Sequence, residues 1–396
     1  MKKIKFLLIS LFLISTIQST QAQTDNDSLE ISFKPYASFR GHLAVYDNEI
    51  ALQENVSRVG AKIGIKKGNL TFLAATELHL SLFQGGASFN VDGNENNEFL
   101  DVTTVKNNQA FTNRIGYIGF DFEKYGTLTF GKQWSVYYDV ASYTDQFTIF
   151  GGRASATYIG GTDGGTSGTG RANQSVIYRN QFGDFYLGAQ AQVRGGDNNH
   201  FIDGFGFSAQ YQIVKEIFIG ASFNRAFLSN ELINQHRIIG LDGQPTYYSA
   251  GIKYLGEKLT LSVLGAVEKN GDFSQGAYFN SNNDLINPTV VFDAKGFEFF
   301  ANYQFKDFSV HGGYNLYIPD RKNIETENNQ IPVSSNFKVN DVIFGLNYQP
   351  LKFIQVYAEQ RLSFGRNALN VKDQSVFAVG MKIDISKTFN TKINAK

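Results

Sequence analysis

The stretch Phe377-Ala378-Val379-Gly380-Met381-Lys382-Ile383-Asp384-Ile385 places apolar side chains at odd positions and small or polar ones at even positions. A β-strand points successive side chains to opposite faces, so this stretch has one apolar and one polar face. The same alternation occurs in 59–65, 185–193 and 297–305. The chain is therefore predicted to consist of many two-faced strands.

The two faces differ in a way that separates a membrane barrel from a soluble sandwich. The polar faces carry Gly, Gln, Asn, Ser and charged residues along whole strands, and the apolar faces are aromatic near their ends. Lipid outside and water inside produce this pattern. Composition agrees, because charged residues make up 18% of the chain and aromatic residues 14%. An ordinary soluble domain has about 25% charged residues.

The connections between the predicted strands alternate between short and long. The short ones are 66–69, 123–126, 182–184, 214–216, 255–258, 305–307 and 349–352, and the longer ones lie near 47–53, 84–109, 136–170, 195–203, 229–245, 269–292, 320–337 and 366–373. Short periplasmic turns and long outer loops are typical of outer-membrane barrels, which have an even number of strands. The runs between the connections predict an all-β, transmembrane antiparallel β-barrel of about sixteen strands, which is wide enough for an aqueous channel.

The first 22 residues have the features of a secretory signal peptide. Lys2, Lys3 and Lys5 precede a short apolar run over 6–14. The stretch Thr20-Gln21-Ala22 then offers small residues at the cleavage positions. The run is shorter than the ~20 residues that a transmembrane helix needs. We expect cleavage after Ala22 and a single barrel domain over 23–396. The chain has no Cys, so no disulfide or thiolate metal site is expected, and no cofactor is indicated.

One connection, 136–170, is much longer than ordinary loops, and we call it the third loop. Segments of this length are usually functional or disordered. It contains Tyr138-Asp139, Tyr143-Thr144-Asp145 and Phe150-Gly151-Gly152, and it ends in the Gly-rich stretch 164–170, which is predicted to be flexible. Composition leaves two readings open, a mobile surface loop or a loop that folds into the barrel and narrows it.

Several stretches resemble the general (matrix-type, trimeric) porins of the Gram-negative outer membrane. They are Ser57–Lys62, Asn113–Gly119, Gly126–Gln133, the third-loop motifs Tyr138-Asp139 and Phe150-Gly151-Gly152, and Gly170–Asn180. The resemblance is good from about 30 to 195, and beyond it only the strand rhythm matches. It implies a homotrimer in contact with outer-membrane lipid and lipopolysaccharide. It also implies that the third loop folds into the lumen.

The resemblance further implies a pore constriction. In such porins basic side chains on the wall face acidic side chains on the third loop. The corresponding positions here are Arg40, Arg58, Arg114 and Arg171 on the wall, and Asp145, Ile149 and Arg153 on the loop. Alternation independently places Arg40 and Arg58 on the inner face. Ile149 stands where the family has a second acidic residue, so the usual cation preference is not expected, and we predict anion preference or weak selectivity.

The C-terminus departs from the family pattern. Family members end on an aromatic residue, and Phe389 fits that position, but residues 390–396 run past it. The assembly signal would then be internal, or the tail would fold back into the periplasm.

The sequence favours a passive diffusion channel for ions and small hydrophilic solutes. A substrate-specific porin for phosphate or a sugar remains open, because six tyrosines are predicted to face inward: Tyr36, Tyr46, Tyr186, Tyr247, Tyr317 and Tyr357. An outer-membrane barrel enzyme is a weaker alternative, since no Ser or His stands isolated on an apolar face. A net charge of zero gives no indication of nucleic-acid binding. Asp92, Asn94 and Asn96 have calcium-loop spacing, but Asn97 and Thr103 depart from that motif, so no metal site is expected.

Overall fold

The computed structural model describes residues 28–83, 88–89, 102–103, 110–155, 164–195, 200–237, 240–275, 278–279, 285–286, 289–320, 334–368 and 370–394. The predicted signal peptide, the predicted outer loop 84–109 except for two short strands, and the calcium-like residues Asp92, Asn94 and Asn96 lie outside this range.

The first half of the chain contains the strands β1 (Ser28–Tyr46), β2 (Glu49–Glu54), β3 (Arg58–Lys67), β4 (Leu70–Leu80), β5 (Ser88–Phe89), β6 (Val102–Thr103), β7 (Phe111–Asp121), β8 (Thr127–Trp134), β9 (Arg171–Phe182) and β10 (Phe185–Gln192). The second half contains β11 (Gly204–Val214), β12 (Ile217–Ala226), β13 (Thr246–Leu255), β14 (Leu259–Gln275), β15 (Tyr278–Phe279), β16 (Leu285–Ile286), β17 (Thr289–Phe305), β18 (Phe308–Asp320), β19 (Val339–Leu351), β20 (Ile354–Ser363), β21 (Val376–Ser386) and β22 (Phe389–Asn394).

Helices are short. In the part of the chain that the structure describes, a 3₁₀ turn spans Glu123–Tyr125, and two α-helices, α1 (Tyr138–Ala141) and α2 (Asn230–Gln235), lie in connections. Among the described residues, no helix has the length and apolar character needed to cross a membrane.

The strands form a closed antiparallel barrel. Each wall strand pairs with the next along the chain, and β1 closes the ring by pairing with β21 from Tyr36↔Ser386 to Val45↔Phe377. β2 and β3 both pair with β1 and together make one wall strand, as do β21 and β22. Counted in this way, the described residues give the sixteen wall strands that the sequence predicts.

The two faces of the wall follow the predicted alternation. Large apolar side chains are exposed on the outside, including Ile118, Phe207, Ile252 and Val379. Aromatic rings meet near the short turns, where Phe305, Phe308 and Tyr348 stack in a row. Such aromatic rings mark the interfaces of a membrane-embedded barrel.

The short turns are tight because their residues adopt positive φ. Gly68 connects β3 to β4 with φ 57°, and Gly183 connects β9 to β10 with φ 60°. Glycine enters this region without a steric cost, which allows the chain to reverse within two residues.

The C-terminal tail continues the wall. β22 pairs with the first residues of β1, from Phe33↔Phe389 to Ser28↔Asn394, and the rings of Phe33 and Phe389 stack at 6.5 Å. Lys392 also forms an ion pair with Glu30. Of the two expectations for the tail, folding back into the periplasm does not describe these residues, because 390–394 extend the last strand.

Ending the chain at Phe389 is predicted to lower the unfolding temperature, because residues 28–32 would lose their ladder on one side. Heat-modified migration in a gel measures this temperature. Lys392→Ala is the control, since it removes only an exposed ion pair and keeps the backbone ladder. An equal unfolding temperature for the truncated and full-length chains would show that β22 does not contribute to barrel closure.

Candidate pore site

The basic side chains predicted from the sequence gather on one part of the inner wall. Arg58 and Arg114 both approach Glu77, with Arg58 Nη1 at 3.8 Å and Arg114 Nε at 2.9 Å from Oε1. Tyr36 donates its hydroxyl to the other oxygen of Glu77 at 3.0 Å. β1, β3, β4 and β7 are neighbours in the sheet, and this register brings the four side chains together.

A second charged group lies beside the first on β1 and β21. Arg40 Nη2 is 4.0 Å from Asp384, and Lys382 Nζ is 3.2 Å from the same carboxylate. Ser38 donates to Asp384 at 2.5 Å and accepts from Arg40 Nε at 2.6 Å. Because Arg40↔Lys382 and Ser38↔Asp384 are cross-strand pairs, all four side chains point to the inner face.

Arg171 begins β9, and its guanidinium lies 5.4 Å from the centre of the Trp134 ring. Trp134 stacks on Tyr138, with ring centres 4.1 Å apart and planes at 17°. Tyr138 belongs to α1 of the third loop, so this stack joins the loop to the wall strands β8 and β9. β9 lies two strands from β7 in the sheet, so Arg171 is on the same side of the barrel as Arg114.

The first part of the third loop is attached to the wall by charged and polar contacts. Arg179 donates to both oxygens of Asp139 at 2.9–3.2 Å, and Ser208 donates to Oδ2 at 3.0 Å. Tyr143 donates to Gln210 at 2.6 Å. These contacts fix α1 against the inner face of β9 and β11.

The tip of the loop is held by one wall carboxylate. Glu359 on β20 accepts the backbone N–H groups of Thr148, Ile149 and Phe150 at 2.6, 2.9 and 3.2 Å. Its Oε1 also lies 2.9 Å from Nε2 of His311. Three consecutive amides around one buried anion are a strong, charge-assisted arrangement.

Apolar packing covers this contact. Ile149 and Phe150 are 3% and 1% exposed, and they pack with Ile343, Tyr357 and other inward residues of the wall. Ile149 therefore faces the wall, so the family's acidic position on the loop is occupied here by a side chain that anchors the loop.

A second carboxylate, Glu298 on β17, binds the loop on both sides of its tip. It accepts the N–H of Ala154 at 2.8 Å and the hydroxyl of Thr144. Within the loop, Asp145 accepts the N–H of Gly152 at 3.2 Å and the hydroxyl of Tyr138 at 2.7 Å. Both oxygens of Asp145 are thus engaged in holding the loop together.

Arg153 is buried in the wall rather than exposed to the lumen. It donates to Asp341, and to Asp373 at 3.0 Å, and all three side chains are at most 1% exposed. Burial alone would raise the pKa of Asp373, but Arg153 and Arg361 overcome that effect and lower it. The stabilisation from this lowered pKa is present above the ordinary value of about 3.9 and is lost as the pH falls through the lowered pKa.

The Gly-rich stretch 164–170 is fixed by side-chain amides. Gln192 donates to the carbonyl of Gly165 at 2.8 Å, Gln190 to Gly168 at 3.2 Å, and Asn224 to Ser167 at 2.5 Å. The sequence predicts flexibility here from glycine content, and the structure instead pairs these carbonyls with the wall.

The structure thus sorts the predicted constriction residues into two groups. Arg40, Arg58, Arg114 and Arg171 share one region of the inner wall, and Asp145 lies beside Tyr138 of the stack. Ile149 and Arg153 face the wall on the other side of the loop. The apolar side chain of Ile149 and the charge of Arg153 both anchor the loop and do not face the open lumen.

Sequence reasoning missed the acidic anchors Glu298, Asp341, Glu359 and Asp373. A signal for one of them was present, because Glu298 is a carboxylate on the inner side of the alternating stretch 297–305. Inward charge alone does not reveal its partner, since the loop amides come from a distant part of the sequence.

The predicted inward tyrosines are mostly structural. Tyr247, Tyr317 and Tyr357 are at most 2% exposed, and Tyr317 donates to Asp272 while Tyr247 donates to the carbonyl of Gly271. They support the wall and the loop, so they do not form a row along an open lumen.

Within the described part of the chain, no three His, Asp or Glu side chains are placed to hold a metal ion.

Fold and inner face together define a transmembrane β-barrel of the channel-forming class. The family model for Gram-negative porins matches residues 18–272, well over half of the chain. The chain belongs to this family, and it is an outer-membrane diffusion channel of a Gram-negative bacterium.

Curated relatives and solved structures agree. The chain is 24% identical over 306 residues to outer membrane porin N of Escherichia coli, covering 71% of this chain and 74% of that protein. It is 26% identical over 283 residues to outer membrane porin PhoE of Klebsiella oxytoca, covering 68% and 72%. Salmonella typhi OmpF in complex with daunomycin has a similar fold, with a TM-score of 0.67, 17% identity, and coverage of 92% of this chain and 100% of that one. So does a trimer form of OmpT from Vibrio cholerae, with a TM-score of 0.59, 16% identity, and coverage of 90% and 99%.

Replacing Arg153 by Met is predicted to loosen the third loop, because Asp341 and Asp373 would lose a buried cation. Removal of one partner from such a group costs about 3–5 kcal/mol. The variant should unfold at a lower temperature and show noisier single-channel currents. Lys66→Met is the matched control, since its pair with Glu123 is exposed and little change is expected. Wild-type stability and wild-type current noise in the Arg153 variant would contradict the proposed anchoring.

Proposed function

We propose that the channel is narrowest between the third loop and the arginine group, and that it prefers anions or is weakly selective. The observation that supports this best is the state of the loop's carboxylates. Asp139 is paired with Arg179, and both oxygens of Asp145 accept hydrogen bonds within the loop. Arg179 compensates the charge of Asp139, and Ile149 carries none, so the described part of the loop sets only the charge of Asp145 against Arg40, Arg58 and Arg114.

Electrostatic range supports the effect of these charges. The Debye length is about 8 Å at physiological ionic strength, so fixed charges within a narrowed passage are poorly screened. Each one changes the energy of a nearby ion by an amount on the order of 1 kcal/mol or more. Glu77 and Asp384 offset part of the positive charge of the arginine group. The channel is therefore proposed either to prefer anions or to select only weakly between ions.

The solutes are ions and small hydrophilic molecules that diffuse passively. A dedicated sugar channel is less favoured, because Tyr247, Tyr317 and Tyr357 are buried. The relatives are porins, and no catalytic role is proposed for any residue. Removal of residues 1–22 as a signal peptide, a single domain over 23–396, and contacts with outer-membrane lipid and lipopolysaccharide are parts of the same proposal.

Reversal potentials under a potassium chloride gradient test the charge preference. Anion preference or near-zero selectivity is expected for the wild type, and Arg114→Ala should shift selectivity toward cations. Arg225→Ala is the control, because Arg225 pairs across the sheet with Phe205 on the outer face. Clear cation selectivity of the wild type would refute the proposal. Ile149→Glu should destabilise the loop instead of changing selectivity alone, because Ile149 is buried beside Glu359.

A homotrimer is proposed on the family resemblance and on the trimer form of the Vibrio cholerae relative. Native mass measurement of the detergent-solubilised protein should give three copies of a chain that begins at Gln23. A monomer as the only species would remove this part of the proposal and leave the channel itself unaffected.

A further inference from the structure

We propose that a calcium ion binds in the wall of the barrel at Glu268 and Asp272, beneath the third loop. Glu268 is 0% exposed, and neither of its carboxylate oxygens has a hydrogen-bond partner in the part of the chain that the structure describes. A buried carboxylate is costly to leave unpaired, and proteins normally pair such a group or use it to bind a metal ion. The site lies apart from the arginine group, and the proposed charge preference does not depend on it.

A β-bulge in β14 places Asp272 next to Glu268. Glu268 pairs with Ala294 of β17 and Asp272 pairs with Phe292, so four steps along β14 correspond to two steps along β17. Two steps along a strand are about 7 Å. The extra residues 269–271 form the bulge, and the two carboxylates therefore take adjacent positions on the inner face.

The bulge is fixed by contacts from both neighbouring strands. Asp293 of β17 accepts the N–H of Asn270 at 2.8 Å and the ammonium of Lys269 at 2.6 Å. Tyr247 of β13 donates its hydroxyl to the carbonyl of Gly271 at 2.9 Å. Bulges are frequent next to functional sites, where they redirect a side chain. The position of the carboxylate pair is thus built into the wall.

The charges around Glu268 are negative. Asp272 is 1% exposed and accepts the hydroxyl of Tyr317. Among the described residues, the charges that act on Glu268 are those of the carboxylates Asp272, Asp293 and Glu298. A cation between Glu268 and Asp272 would supply the positive charge that Glu268 lacks.

The third loop covers the carboxylate pair. Tyr247 and Ala294, the cross-strand neighbours of Glu268, are 2% and 1% exposed. Tyr247 packs against Tyr137 of the loop, with ring centres 6.3 Å apart, and Ala294 belongs to the same apolar cluster as Ala154. The ion would therefore lie between the wall and the loop and would help to hold the loop in place.

The chemistry of the pocket favours calcium over magnesium. Calcium binds about six to eight oxygen atoms in an adaptable shell, whereas magnesium usually keeps several of its waters. Two adjacent carboxylates supply part of the calcium shell, and hydroxyl, backbone carbonyl and water oxygens would complete it. Burial of both carboxylates leaves little access for the waters that magnesium retains.

Terbium luminescence tests the site, because terbium replaces calcium at oxygen-rich sites and emits light when nearby tyrosines are excited. Detergent-solubilised protein is titrated with terbium chloride, and calcium or magnesium chloride is then added as competitor. We expect saturable emission, with calcium displacing terbium at a lower concentration than magnesium does.

Two variants locate the bound ion. Glu268→Gln should raise the half-saturating terbium concentration about ten-fold or more, and Asp272→Asn should raise it as well. Glu30→Gln is the matched control and should leave it unchanged, since Glu30 is an exposed carboxylate that pairs with Lys392.

The unfolding temperature gives a second measurement that does not depend on terbium. Calcium should raise it for the wild type relative to a sample in EDTA, because an ion that binds only the folded state stabilises that state. In EDTA, Glu268→Gln should be at least as stable as the wild type, since it removes an unpaired buried charge. Calcium should not stabilise this variant.

Equal terbium affinity of the wild type and Glu268→Gln, or equal stabilisation of both by calcium, would overturn the site. Absence of saturable emission would overturn it too, and the two carboxylates would then share a proton. Displacement of terbium by magnesium at the same concentration as by calcium would overturn the assignment to calcium. If Glu268→Gln does not fold, Asp272→Asn decides by the same measurements. The reversal potentials that test the proposed function are a separate result, so either proposal can fail alone.

Discussion

The structure depends on one constraint, which is that every backbone N–H and C=O inside a bilayer must find a partner within the protein. A strand can meet it only when both of its edges are paired, so the wall must close on itself. The ladder between β1 and β21 provides this closure, and its register places Ser38, Arg40 and His42 on the inner face opposite Asp384, Lys382 and Gly380. The positions of the charges in the lumen therefore follow from the backbone pairing that closes the barrel.

The inner face has two uses for charge. Carboxylates on the later strands bind backbone amides and Arg153 of the third loop, and arginines on the early strands remain grouped around Glu77. Both carboxylates in the described part of the third loop are already engaged, Asp139 with Arg179 and Asp145 with Tyr138 and Gly152. Anchoring the loop and setting the charge of the passage are thus connected, because Asp139, which holds the loop through Arg179, has its charge compensated there.

Much of the fold could be predicted from the sequence, because alternation is a local property that survives without knowledge of partners. It gave the strand count and the inward position of Arg40 and Arg58. The family resemblance added Arg114, Arg171 and Asp145. The roles of Ile149 and Arg153 could not be predicted in the same way. They depend on Glu359, Asp341 and Asp373, which lie 188 to 220 positions further along the chain. The Gly-rich stretch 164–170 misled for a related reason: glycine content describes the freedom of an isolated segment, and the amides of Gln190, Gln192 and Asn224 remove that freedom.

The pairing of Ser28 with Asn394 has a consequence for biogenesis. β1 is completed only by β21 and β22, which lie more than three hundred positions further along the sequence, so the seam joins segments that are far apart in the chain. Contacts of such long sequence separation form slowly, and unpaired strand edges are prone to aggregate while they wait. The edge of β1 therefore stays unpaired until β21 and β22 reach it, and aggregation competes with barrel closure for as long as this seam is open.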